Sequence, residues 1–203
     1  MAALDLIFAT GNNHKSKEVS QILNQDWLDI KSLKDIDWVG DIAETGDTLS
    51  DNALIKARTV YNKVGGNIFS EDTGLEVFSL GMAPGVHTAR YAGPSRDAQL
   101  NMSKLISELV DGKNRTARFR TVVALIWEGE EHLFEGLVNG RIAFEIKGSK
   151  GFGYDPVFMP YGYDKTFAEM DDTEKNAISH RFRAMMGLKK FLATQKEKRG
   201  NPS

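Results

Sequence analysis

The 203-residue sequence contains no cysteine. That absence excludes a disulfide scaffold, a thiolate zinc site and a thiol nucleophile together, and it fits a reducing compartment. No apolar run approaches the ~20 residues of a membrane-spanning helix. The opening residues carry no basic stretch, and Asp5 interrupts their apolar run, so no signal peptide is expected. There is no excess of either charge: 26 Lys and Arg face 28 Asp and Glu, a net charge of -2. A balance of this kind gives no global reason to bind nucleic acid or an acidic membrane. It leaves room for a local basic pocket. Internal repeats, low-complexity blocks and long linkers are also missing. What remains is 41% apolar and 27% charged, the composition of a soluble globular chain, and a cytoplasmic protein is the expectation. A chain this long can bury ~70% of its unfolded surface in one domain or two lobes.

The order of elements reads as α/β. Leu4–Ala9 is a short apolar run followed by Thr10-Gly11-Asn12, which predicts a strand, a glycine turn and a helix from Asn13 to Leu23. A weak strand is expected at Asp29–Leu33 and an acidic loop from Asp35 to Gly46. Apolar residues at steps of three and four from Leu49, with Thr48 as cap and Gly65-Gly66 as stop, predict a second helix. Ile68–Ser70 and Leu75–Phe78 read as two short strands around Glu71-Asp72-Thr73-Gly74. A shaped loop follows, then a helix over Asp97–Val110. Thr116–Trp127 and Leu133–Ile146 predict a hairpin turning near Glu128-Gly129. The last helical stretch, Thr173–Gln195, is interrupted at Ser179, and a charged, frayed tail is expected over 196–203.

Four clusters could carry chemistry. In Thr10-Gly11-Asn12-Asn13-His14-Lys15, backbone N–H groups and a helix N-terminus can meet an anion, with Lys15 as a point charge. The plain alternative is a strand-to-helix turn with a solvated lysine. Glu44, Glu71 and Asp72 offer hard oxygens suited to Mg²⁺, or else are solvated acids in turns. Gly151-Phe152-Gly153-Tyr154-Asp155-Pro156 lacks the last glycine of a dinucleotide fingerprint. Its aromatics can stack on a base or simply fill a core. Lys175, Ser179, His180 and Arg181 interrupt an apolar helix with donors suited to carbonyl or phosphate oxygens, or form a solvated face.

Taken together, these blocks resemble the inosine triphosphate pyrophosphatase family. The family opens with [ST]-G-N-x-x-K, here Thr10 to Lys15. Glu44-Thr45-Gly46 and Asp51-Asn52-Ala53-Leu54-Ile55-Lys56-Ala57 match its acidic loop and E-N-A-x-x-K-A helix. Glu71-Asp72-Thr73-Gly74-Leu75, the Pro84–Tyr91 block, Gly151–Pro156 and Glu174–Arg181 match the remaining motifs in order. Asp51 stands where Glu is common, Glu71 where Asp is common, and Thr73 and Thr88 stand for Ser.

The resemblance implies a long mixed sheet flanked by helices, in two lobes with a nucleotide cleft between them, over residues 1–195. It implies a homodimer, dependence on Mg²⁺ and a small-molecule substrate. The implied reaction converts ITP, dITP or XTP to the monophosphate and pyrophosphate. A pyrophosphatase for modified pyrimidine or methylated nucleotides is the nearest alternative, and a sensor without turnover is another. Glu44, Asp72 and Glu71 are the implied metal ligands, with Asp72 also the base. Lys15, Lys56 and the Thr10–His14 loop would meet the phosphates. Thr73, Phe152, Gly153, Tyr154, Asp155, Lys175, His180 and Arg181 would contact the rest of the nucleotide, with Phe152 stacking and His180 and Arg181 facing a 6-oxo group.

Overall fold

In the computed structural model, which describes residues 3–110 and 114–200, six strands form one mixed sheet. The strands are β1 (Leu4–Phe8), β2 (Leu28–Ser32), β3 (Ile68–Val77), β4 (Thr116–Trp127), β5 (Glu130–Ile142) and β6 (Phe158–Pro160). The helices are α1 (Asn13–Ile22), α2 (Leu49–Val64), α3 (Ala98–Glu108), α4 (Asp172–Ile178) and α5 (His180–Gly200). The strand order is β2-β1-β3-β4-β5-β6. β1 runs parallel to both β2 and β3, and β5 pairs antiparallel with β6.

Local chemistry explains most boundaries. The Asn12 side chain accepts from the N–H groups of His14 and Lys15 and starts α1. Thr48 caps the Asp51 N–H to start α2, and Gly65, at φ 65°, stops it. The β4–β5 turn uses Glu128 and Gly129, both at positive φ, as a two-residue hairpin matching strand twist requires. Ser179 separates α4 from α5. The last helix runs on to Gly200, so the first five residues of the expected tail are helical. Residues 201–203 lie outside the described residues.

One element differs in kind. The two short strands expected around Glu71-Asp72-Thr73-Gly74 are a single ten-residue strand, β3, buried almost throughout. The acidic pair is not a turn. It lies inside a strand, and its charges are matched by cations brought from α1, α2 and α5.

The chain divides into two compact units. Unit 1 holds Met1–Asp72, Thr121–Gly136 and Arg181–Ser203, and unit 2 holds Thr73–Arg120 and Leu137–His180. In unit 1, Leu6, Phe8, Phe69, Val123 and Leu125 of the strands pack with Val19 of α1 and Met185 and Leu188 of α5. Phe8 and Phe69 stack with ring centroids 4.5 Å apart. In unit 2, Leu75, Phe119, Val138 and Phe158 pack with Leu105 of α3 and Phe167.

Candidate active site

The chemistry of unit 1 gathers on β3. Successive residues of a strand point to opposite faces, and here that separates the two adjacent carboxylates. Ser70 and Asp72 meet α2: the Ser70 hydroxyl donates to Ala53 O at 2.5 Å, and Lys56 Nζ donates to Asp72 Oδ1 at 3.0 Å. Glu71 meets α1 and α5 instead. Arg181 Nε and Nη2 donate to its two oxygens at 2.8 and 2.9 Å, and Lys15 Nζ lies 3.1 Å from Oε1.

Lys56 is the centre of the first group. Its ammonium also donates to Glu44 Oε1 at 2.6 Å, so two carboxylates from separate segments converge on one cation. Burial works against the charged amine, yet the Asp72 and Glu44 carboxylates outweigh it and raise the Lys56 pKa above its ordinary value. Asp72 Oδ2 accepts no hydrogen bond from the described residues, and the side chain is 11% exposed.

In the second group, Arg181 is 1% exposed and also donates through Nη1 to Glu18 at 2.5 Å. Burial pushes the Glu71 carboxyl up, but the Arg181 and Lys15 charges overcome it and hold its pKa at about 2. Both Glu71 oxygens are therefore engaged by cations on the face opposite Asp72. The structure does not bring Glu71 together with Glu44 and Asp72 as a third metal ligand. Arg181, expected to face a base, is buried and donates to Glu71 and Glu18. Glu18 was not singled out from the sequence, where it is one of many helical acids.

The Thr10–Lys15 loop is folded onto itself. Asn12 N–H donates to Thr10 Oγ1 at 3.2 Å, while Asn12 Oδ1 accepts from His14 and Lys15 N–H at 2.9 and 3.3 Å. Two side-chain oxygens thus occupy places at which an anion's oxygens would be received. Gly11, Asn13 and His14 are exposed beside them.

In unit 2, Asp155 Oδ2 accepts from Lys175 Nζ at 2.7 Å and from Phe152 N–H at 2.8 Å. Asp155 and Lys175 are both buried, and the ammonium lies 5.1 Å from the centre of the Phe152 ring. Gly153, at φ 62°, continues the turn. The Tyr154 hydroxyl donates to Thr88 O at 3.0 Å, and burial raises its pKa. His180 is buried and stacks on Phe119 at 4.5 Å. Thr73, half-buried, follows Asp72 on β3. The Phe152–Asp155–Lys175 set is thus brought together, whereas His180 sits among aromatic core residues.

Gly151 is required by this arrangement. Its φ is +73°, and a Cβ there would run into the Asp155 carboxylate. Gly151→Ala is expected to cost about 1–3 kcal/mol, read as faster amide hydrogen exchange over residues 151–157 with unit 1 unaffected.

A two-carboxylate set of this kind fits Mg²⁺, which is commonly held by one or two carboxylates together with phosphate oxygens and water. Among the described residues, no group of three or more His, Cys, Asp or Glu could hold an ion unaided. The donors that converge are Glu44 and Asp72.

Comparisons with known proteins agree along nearly the whole chain. The model of the Ham1 family matches residues 6–191. A dITP/XTP pyrophosphatase of Porphyromonas gingivalis is 50% identical over 192 residues, covering 94% of this chain and 98% of that protein. One of Christiangramia forsetii is 47% identical over 190 residues, covering 94% and 100%. The solved structure of a HAM1 protein from Coxiella burnetii superposes with a TM-score of 0.87 at 35% identity, over 94% of this chain and 99% of that one.

Proposed function

The chain belongs to the Ham1 family, and from that membership we propose that it hydrolyses non-standard purine nucleoside triphosphates. ITP, dITP and XTP are converted to the monophosphate and pyrophosphate and so leave the nucleotide pool. The observation that carries the reading is the convergence of Glu44 and Asp72 on Lys56, with the Lys15–Glu71–Arg181–Glu18 set built on the neighbouring residue of β3.

The charges there favour a divalent ion as partner. Among the residues of these two sets, three cations stand with four carboxylates. A triphosphate brings several more negative charges, which the cations of these two sets do not balance. Glu44 and Asp72 would hold Mg²⁺, which when bound supplies positive charge to the phosphates.

The chain's own residues do the rest. Lys56 stays an ammonium because its two carboxylates hold it charged. Lys15, fixed by Glu71, offers a second ammonium that is 15% exposed. Asp72 uses its unengaged Oδ2 to orient a water and take its proton as the oxygen attacks the α-phosphorus. The bond to the bridging oxygen breaks and pyrophosphate leaves. Glu71 and Arg181 act from behind Lys15, and neither contacts the metal.

In unit 2, Phe152 offers a face to a purine, while Lys175 offers a donor to its 6-oxo group with Asp155 behind it. A donor facing an adenine amine is left unpaired, at a cost of ~1–3 kcal/mol. A thousandfold preference needs about 4 kcal/mol, hence at least two such contacts. We place the enzyme in the cytoplasm, as a homodimer.

Pyrophosphate release from ITP, XTP, GTP, ATP, dUTP and dCTP with Mg²⁺ tests the reading. Release from ITP and XTP is expected to exceed that from GTP and ATP by at least about a hundredfold, ~2.8 kcal/mol. Equal release from all four purines would overturn the selectivity, release confined to dUTP or dCTP would move the enzyme to pyrimidines, and no release would favour a sensor.

A further inference from the structure

Glu44 lies in an irregular acidic loop, and its side chain meets Lys56 of α2. Two residues on, the Gly46 N–H donates to Asn52 Oδ1 at 2.8 Å. Asn52 is 3% exposed, and its own N–H is used within the helix, donating to Thr48 O at 3.0 Å. Asn52 and Lys56 are four residues apart on α2, hence on one face of it. The face that supplies the ammonium for the Glu44 side chain therefore also supplies the acceptor for the backbone beside it.

Gly46 is shaped to that contact. Its φ is not in the left-handed region, so the requirement is steric. A Cβ at Gly46 would lie 2.5 Å from Asp51 Cβ and 3.0 Å from both Asn52 N and Oδ1. Thr48 ties the same turn down separately, its hydroxyl donating to Asp51 Oδ2 at 2.7 Å. Thr48 serves to start the helix. Asn52 has no such task, because a residue in the second half of the first turn already donates within the helix.

We infer that Asn52 is a positioning residue for the reaction: with Gly46 it locks the acidic loop so that the Glu44 carboxylate is held against Lys56 and Asp72. The side chain acts through Glu44. The kinetic consequence rests on the pyrophosphatase reading, whereas the structural one does not.

The test separates the two. Substrate-free protein is digested with a glutamyl endopeptidase, and cleavage of the Glu44–Thr45 bond is followed by mass spectrometry. Asn52→Ala and Gly46→Ala are expected to be cut there at least about tenfold faster than wild type. Asn52→Asp, which keeps an acceptor oxygen, should restore resistance. In pyrophosphate release from ITP, Asn52→Ala should lose on the order of tenfold to a hundredfold in kcat, the scale of a misplaced catalytic group. In an Glu44→Gln background it should add less than about twofold, because its effect is already spent.

Cleavage at the wild-type rate in Asn52→Ala, or its full kinetic penalty on top of Glu44→Gln, would overturn the inference. Thermal melting establishes that each variant is folded. Should Asn52→Ala not fold, Gly46→Ala decides, since it leaves the asparagine in place. Should wild type release no pyrophosphate, the activity reading fails and the protease result still decides this one.

Discussion

Asp72→Asn is expected to lower pyrophosphate release from ITP by ~10²–10⁴-fold, the range that a positioned general base contributes, while ITP still binds. The substitution is structurally gentle. Lys56 Nζ donates to Asp72 Oδ1 at 3.0 Å, and an asparagine carbonyl oxygen accepts in the same place. The Glu44–Lys56 contact at 2.6 Å is untouched. What disappears is the second oxygen, which takes no hydrogen bond from the described residues and is the atom available to a water. Two roles are combined in this residue, and they can be told apart. Loss of a metal oxygen is partly recovered by raising Mg²⁺, whereas loss of the base is not. The measurement is therefore kcat over a Mg²⁺ series, with ITP binding by calorimetry. Near-normal turnover would remove Asp72 from the role of base.

The same residue shows what the sequence made legible. The strand–Thr10-Gly11-Asn12–helix opening, the Leu49–Val64 helix, the Thr116–Trp127 strand and the break at Ser179 are all present where local pattern placed them. Each depends on signals within a few residues: a cap, a glycine stop, an apolar period. The family motifs were readable one by one as well. The continuous strand through Glu71-Asp72-Thr73-Gly74 was not legible. Local pattern treats two adjacent acids before a glycine as a turn, because burying them unpaired is prohibitive. The partners that permit the burial are Lys15, Lys56 and Arg181, up to 110 residues away. Once the strand is continuous, its alternation sends Glu71 and Asp72 to opposite faces, so adjacency in sequence becomes separation in chemistry. Asn52 was legible as a member of the helix motif four residues from Lys56, but its contact was not, because the partner is a backbone N–H of a loop with no regular pattern.

Arg181→Ala is expected to destabilise unit 1 by ~3–5 kcal/mol, the usual cost of leaving a buried ion without its partner. For a chain of this size that is roughly 10 °C in melting temperature. Arg181 is 1% exposed and bridges Glu71, whose side chain is fully buried, to Glu18. Without the guanidinium, Lys15 at 3.1 Å is the one cation left on Glu71 among the described residues, and burial then pushes its carboxyl up. The loss must depend on pH, with a definite sign. In wild type the Glu71 pKa is about 2 against an ordinary 4.5. A depressed carboxyl contributes its full stabilisation above the unfolded value and loses it as pH falls toward the folded one. The gap between wild type and Arg181→Ala should therefore be complete at pH 7 and narrow steadily below about pH 4.5. Trp27, Trp38 and Trp127 all belong to unit 1, so tryptophan fluorescence during urea unfolding at pH 7 and pH 3.5 reports the effect directly. A cost under about 1 kcal/mol, as for an exposed pair, or a gap independent of pH, would remove Arg181 as the anchor of Glu71. The guanidinium would then be free to serve as a ligand contact instead.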